Sequence, residues 1–208
     1  IINSRKHRTD RKPMLAMGGA LYDEMSTKSD LVRNPERMQD ISALALENAA
    51  RGLSQRKVYA ALGFGKLNYL QGTLNEVNTM AMVVAGAEVY TGEAMNEAFI
   101  KQLSDEGKLD DYKVLHLATH GFALPDIPQL SGIAMTIFKD ERNGQDGYLT
   151  APELANLKLA ADLVVLSACE TGLGKIYGGE GVMGLTQSLI LAGANAAAVS
   201  LWPVNDAS

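Results

Sequence analysis

Residues 163–166 (LVVL) form an unbroken apolar run inside the segment 162–167 (DLVVLS). A strand of this kind belongs where helices cover both faces of a sheet, which is the setting of parallel strands. Segments 113–119 (KVLHLAT), 196–202 (AAAVSLW) and 13–20 (PMLAMGGA) read as further strands of the same sort. Helical patterns lie between them, over residues 35–52, 74–84, 93–103 and 182–192, with a short helix opened by Pro152. Shorter strands are expected at 88–90 and 132–139, and a strand and turn at 62–69. Asn143-Gly144 and Asp146-Gly147 are turn signals leading into Tyr148-Leu149. Strands alternating with helices imply an α/β fold with a mostly parallel central sheet and right-handed crossovers. In such sheets a site forms beyond the carboxyl ends of the strands.

Composition narrows the function classes. The chain has 208 residues, 47% hydrophobic and 21% charged, enough for the core of one α/β domain. Its net charge of −5 argues against a nucleic-acid partner. The basic cluster of Arg5, Lys6, Arg8, Arg11 and Lys12 precedes the first apolar run and reads as a solvated linker. A single cysteine leaves no intrachain disulfide, which fits a reducing, cytoplasmic compartment. No apolar run approaches the ~18 residues of a membrane span, so no membrane partner is expected. The first residues are not a signal peptide, and both ends are abrupt, as in a piece of a longer protein.

Two strand ends carry reactive side chains. One is Ala118-Thr119-His120-Gly121; the other is Ser167-Ala168-Cys169-Glu170-Thr171-Gly172. If the strands are parallel neighbours, both open onto one rim. A free thiol titrates near ~8.5, so an imidazole must take its proton to make a nucleophile at neutral pH. The thiolate would attack a peptide carbonyl, with the N–H groups of Gly121 and Cys169 as candidate oxyanion donors. Alone, however, a cysteine after an apolar strand is usually a core residue.

Other patterns carry less. His116 and His120 have a metal-ligand spacing, but on a strand four residues span ~13 Å, so the two cannot share an ion. His116 is expected inside the sheet as a structural residue, and His7 lies in the basic tail. Gly179 to Gly184 fits G-x-G-x-x-G with Asp206 downstream, the outline of a dinucleotide site. The glycines follow their strand too late, and Glu180 would repel a pyrophosphate. Gly63-Phe64-Gly65-Lys66 lacks the spacing and the Ser/Thr of a phosphate loop. No metal and no cofactor is called for.

Taken together, residues 116–121 (HLATHG), 163–174 (LVVLSACETGLG), 178–185 (GGEGVMGL), 189–194 (LILAGA) and 200–206 (SLWPVND) resemble CHAT domains. Segments 87–94 (AEVYTGEA) and 146–150 (DGYLT) extend the likeness. These domains are caspase- and separase-related cysteine proteases, in bacteria often fused to tetratricopeptide repeats. The resemblance implies a caspase-like three-layer α/β sandwich, with 72–208 as the core and 1–71 a divergent N-terminal part. It implies a cysteine endopeptidase acting on a protein or peptide substrate, with His120 and Cys169 as the dyad and Gly121 at the oxyanion hole. Asp206 falls on a pocket position that would favour a basic P1 side chain through bidentate pairing. It also implies a repeat region or regulatory protein as partner. A catalytically silent scaffold or sensor of the same fold, and a dinucleotide-binding domain, stand as alternatives.

Overall fold

The computed structural model describes residues 10–22, 55–62, 64–124, 127–140, 144–170 and 180–199. Among the described residues seven strands form one sheet: β1 (Lys12–Gly18), β2 (Glu88–Thr91), β3 (Tyr112–Phe122), β4 (Gly132–Ala134), β5 (Tyr148–Thr150), β6 (Leu163–Glu170) and β7 (Ala197–Val199). The helices are α1 (Gln55–Ala61), α2 (Gln71–Val83), α3 (Glu97–Asp105), α4 (Ala151–Asn156) and α5 (Glu180–Ala192). β2, β1, β3, β6 and β7 run parallel in that spatial order, while β4 and β5 add an antiparallel hairpin. This is the expected caspase-like α/β sandwich with its mostly parallel sheet.

Alternation along the strands sorts side chains into layers. Leu15 and Met17 of β1, Leu115 and Leu117 of β3, and Val164, Leu166 and Ala168 of β6 share one buried cluster. Ile100 and Leu103 of α3, Leu154 of α4, and Leu185 and Leu189 of α5 complete it. The opposite face carries Ala16 and Ala118, packed under Val77 of α2. A third cluster lies past the end of β3. There Tyr59 stacks on Tyr148 with ring centroids 4.1 Å apart, and Phe64 and Phe122 pack at 4.4 Å. The Tyr148 hydroxyl donates to the Phe64 carbonyl (2.8 Å) and that of Tyr59 to the Leu130 carbonyl (2.7 Å). These buried bonds moor α1 and the segment after it to the β4–β5 hairpin.

Local chemistry explains where elements begin. The Asn96 side chain accepts the Phe99 N–H (2.8 Å), so α3 starts after Asn96 rather than at the expected residue 93. Thr150 and Glu153 form a capping box at α4, with Pro152 in its first turn as expected. Gly147 adopts φ +90°, which suits glycine, and its N–H is bound by Glu97 (2.9 Å). Glu97 is 3% exposed and paired with Lys101 (2.6 Å), which also reaches Glu153 (2.8 Å).

Several expectations change. Residues 64–70 form no strand; they are held by side-chain anchors instead of a ladder. The strand expected over 132–139 is regular only to Ala134, followed by a single bridge between Tyr22 and Ile137. Arg11 is not part of a solvated linker. Its guanidinium is buried, gripping Asp162 at 2.7 and 2.8 Å and the Ala160 carbonyl at 2.6 Å, which ties the start of β1 to the start of β6. Lys12 pairs with Glu88 at 2.6 Å. Arg5, Lys6, Arg8 and the expected helix at 35–52 lie outside the described residues.

Gly18 marks the closest approach of α2 to the sheet. A Cβ there would sit 2.6 Å from the Thr73 carbonyl oxygen and 2.8 Å from Val77 Cγ1. Main chain cannot yield as a flexible side chain does. Gly18→Ala is expected to cost about 1–3 kcal/mol, read as a fall of several degrees in the thermal midpoint. An unchanged midpoint would show that α2 is free to lift.

Candidate active site

β3 and β6 pair in register over eight positions, from Val114 with Leu163 to Gly121 with Glu170. Within this ladder His120 lies opposite Cys169, Ala118 opposite Ser167 and His116 opposite Val165. Because side chains alternate with period two, positions 116, 118 and 120 of β3 and 165 and 167 of β6 belong to the face that α2 covers. The two candidate catalytic positions are therefore direct neighbours on adjacent strands, as the sequence led us to expect. Gly121 follows in β3, opposite Ile133 of β4 on one side and Glu170 on the other. Asp206 lies outside the described residues.

His120 is 4% exposed, and its Nε2 lies 2.7 Å from the Asn68 carbonyl oxygen. A carbonyl only accepts, so Nε2 must carry the proton. In the neutral ring Nδ1 is then the basic nitrogen. Asn68 is in the extended segment just before α2, so the tautomer is set by main chain rather than by a carboxylate. Nothing in the identity of residue 68 announces this, and the sequence reading missed it.

Tyr22 also went unnoticed. Its ring packs against that of His120 with centroids 5.2 Å apart at 55°. Its hydroxyl lies 2.8 Å from Thr119 Oγ1, which itself donates to the Ala134 carbonyl. Since the threonine proton is committed there, Tyr22 is the donor of the pair. Burial pushes the phenol up to about 12, so it stays protonated at neutral pH.

Glu76 of α2 ties the same face together from below. It accepts from His116 Nε2 (2.8 Å) and from Ser167 Oγ (3.0 Å), bridging β3 and β6 four and two residues, respectively, before the dyad positions. Burial alone would raise this carboxyl; the bonds from His116 and Ser167 outweigh it and hold it below its ordinary value. His116 is thus the structural residue expected, 2% exposed and partnered by α2. As for the glycine pattern 179–184, α5 already begins at Glu180, ten residues after β6 ends at Glu170. The tight strand-to-helix turn of a dinucleotide site is not formed.

Compared with protein families, residues 4–208 match the CHAT domain. The chain belongs to the CHAT domain family. A local match links it to tetratricopeptide repeat protein 28 of Mus musculus, 41% identical over 56 residues. That match covers 27% of this chain and 2% of the mouse protein, so the chain spans a very small part of that relative. Among the described residues no helix of this CHAT domain is long and apolar enough to cross a membrane.

The Glu76 bridge yields a test. Its folded value is lowered, so its contribution is complete above the unfolded value near 4.5 and is lost as pH falls through the folded one. Glu76→Ala is expected to cost about 1–2 kcal/mol at pH 7, the range for a partly exposed charged hydrogen bond. In urea melts the gap to the parent narrows on acidification below pH 4.5. An equal gap at both pH values would mean that the carboxylate charge does no stabilising.

Proposed function

We propose that this CHAT domain is a cysteine endopeptidase in which Cys169 is the nucleophile and His120 its proton-transfer partner. The observation that carries the reading is the register of β3 on β6, which makes the two residues opposite neighbours. The Asn68 contact supports it further, because it leaves Nδ1 as the base. In the first step the Cys169 thiol gives its proton to Nδ1, and the thiolate attacks the scissile carbonyl carbon. The carbonyl oxygen becomes an oxyanion, met by main-chain N–H groups of Gly121 and Cys169. As the tetrahedral intermediate collapses, the imidazolium returns the proton to the leaving amine and a thioester remains. Water, deprotonated by the same imidazole, then hydrolyses the thioester and regenerates the thiol.

Asp206 is the proposed determinant for arginine or lysine at P1. A carboxylate in the pocket would pair with a guanidinium through two parallel hydrogen bonds. The natural partner is proposed to be a protein substrate, in a cytoplasmic setting. A tetratricopeptide-repeat region or regulatory protein is proposed to act with it; the printed name of the mouse relative is in keeping with that.

Cys169→Ala is expected to lower cleavage of arginine-containing peptides by about 1,000-fold or more. Undiminished cleavage by that variant would remove Cys169 from the mechanism. Asp206→Ala should reduce the preference for arginine over aspartate at P1 by about 10–100-fold, the worth of a charged hydrogen bond. A preference that survives the change would place the pocket elsewhere.

A further inference from the structure

β3 is paired on one edge by β6 over residues 114–121. On its other edge β1 pairs up to Leu117 and β4 begins at Gly121. Among the described residues, no strand pairs with 118–120 on that second edge, and this is where His120 sits. The gap is closed by Leu21 and Tyr22, which follow β1. The Leu21 N–H is bound by Thr136 Oγ1 (3.1 Å), the Leu21 carbonyl accepts from Ile137 N–H (2.8 Å), and Tyr22 bridges to Ile137. The main chain leading into Tyr22 is thereby fixed, and the phenol reaches Thr119 while its ring flanks the imidazole.

We propose that Tyr22 is a positioning residue for His120: its ring stops the imidazole from turning away from the Asn68 carbonyl. The proposal rests on His120 being the proton-transfer group of the preceding section. Two contacts confine the ring from different directions. The Asn68 carbonyl fixes the Nε2 end by hydrogen bonding, and the Tyr22 ring blocks one flank by contact. One hydrogen bond leaves an imidazole free to rock about the N···O axis; a ring at 5.2 Å removes that freedom. Among the described side chains, the ionisable ones beside this arrangement are Tyr22 itself and Tyr69 next to Asn68. Glu76 and His116 belong to the deeper pair on the same face.

The chain has three histidines, so ¹⁵N-histidine labelling of the full chain gives spectra that His→Gln substitutions can assign. In the parent, His120 should appear as the tautomer protonated at Nε2. In Tyr22→Leu its two nitrogen shifts should move toward each other as the tautomers mix. Tyr22→Phe keeps the ring and loses the hydroxyl. It should retain the tautomer. Unchanged His120 shifts in Tyr22→Leu, or tautomer mixing in Tyr22→Phe as large as in Tyr22→Leu, overturn the proposal. Should Tyr22→Leu not fold, Tyr22→Met, which also lacks the flat ring, is read in the same way. The dyad is read separately, by the rate of Cys169 alkylation with iodoacetamide against pH in the parent and in His120→Gln. If those two profiles coincide, the dyad reading fails while the spectra still report on Tyr22.

Discussion

Everything at the candidate site depends on the register of one parallel ladder. A slip of β6 against β3 by a single residue would send positions 120 and 169 to opposite faces of the sheet. What forbids the slip is the apolar set behind it. Leu115, Leu117, Val164, Leu166 and Ala168 all bury into the layer formed by α3, α4 and α5. Turning either strand over would put these side chains on the face of α2 and leave the core unfilled, at roughly 1.5–3 kcal/mol for each large side chain. The Arg11 clamp on Asp162 and Ala160 adds a polar stop at the amino end of β6, a whole strand length from the site.

The opposite face is organised differently. It holds few fully buried apolar groups: Val77 rests on Ala16 and Ala118, with the half-buried Met14 and Val89 packed against them. Small residues there let α2 lie close, as at Gly18, and the close approach brings Glu76 within reach of both site strands. The same helix is preceded by the segment carrying Asn68. One helix thus braces the two strands from beneath and delivers the carbonyl that selects the histidine tautomer. The aromatic cluster around Tyr59 and Tyr148 holds the chain leading into this segment, which links a packing feature of the hairpin to the chemistry of the ring.

The strongly patterned parts were legible in the sequence. The apolar run at 163–166, the paired strand-end motifs and the turn glycines led to the sheet and to His120 opposite Cys169. What stayed hidden was of two kinds. Arg11 read as solvated because its neighbours are basic, while its partner Asp162 is 151 residues away. Tyr22, Asn68 and Glu76 belong to no motif; each meets the site strands across 40 or more residues, through contacts that only the fold creates. The segment 64–70 looked like a strand because it is apolar and glycine-containing. Its backbone is instead held by the Tyr148 hydroxyl at Phe64 and the His120 ring at Asn68, a pattern without periodicity.

The Asn68 carbonyl has a further consequence for how this site can fail. A side chain that orients a histidine can be erased by one substitution, because the functional atoms vanish with it. A peptide oxygen survives every substitution at its own position. The orientation of His120 is therefore encoded as a path, in the number of residues between Phe64 and the first turn of α2, rather than as a letter. Insertions and deletions in that short stretch are the lesions to which the tautomer is exposed, while the identity of residue 68 is open to drift.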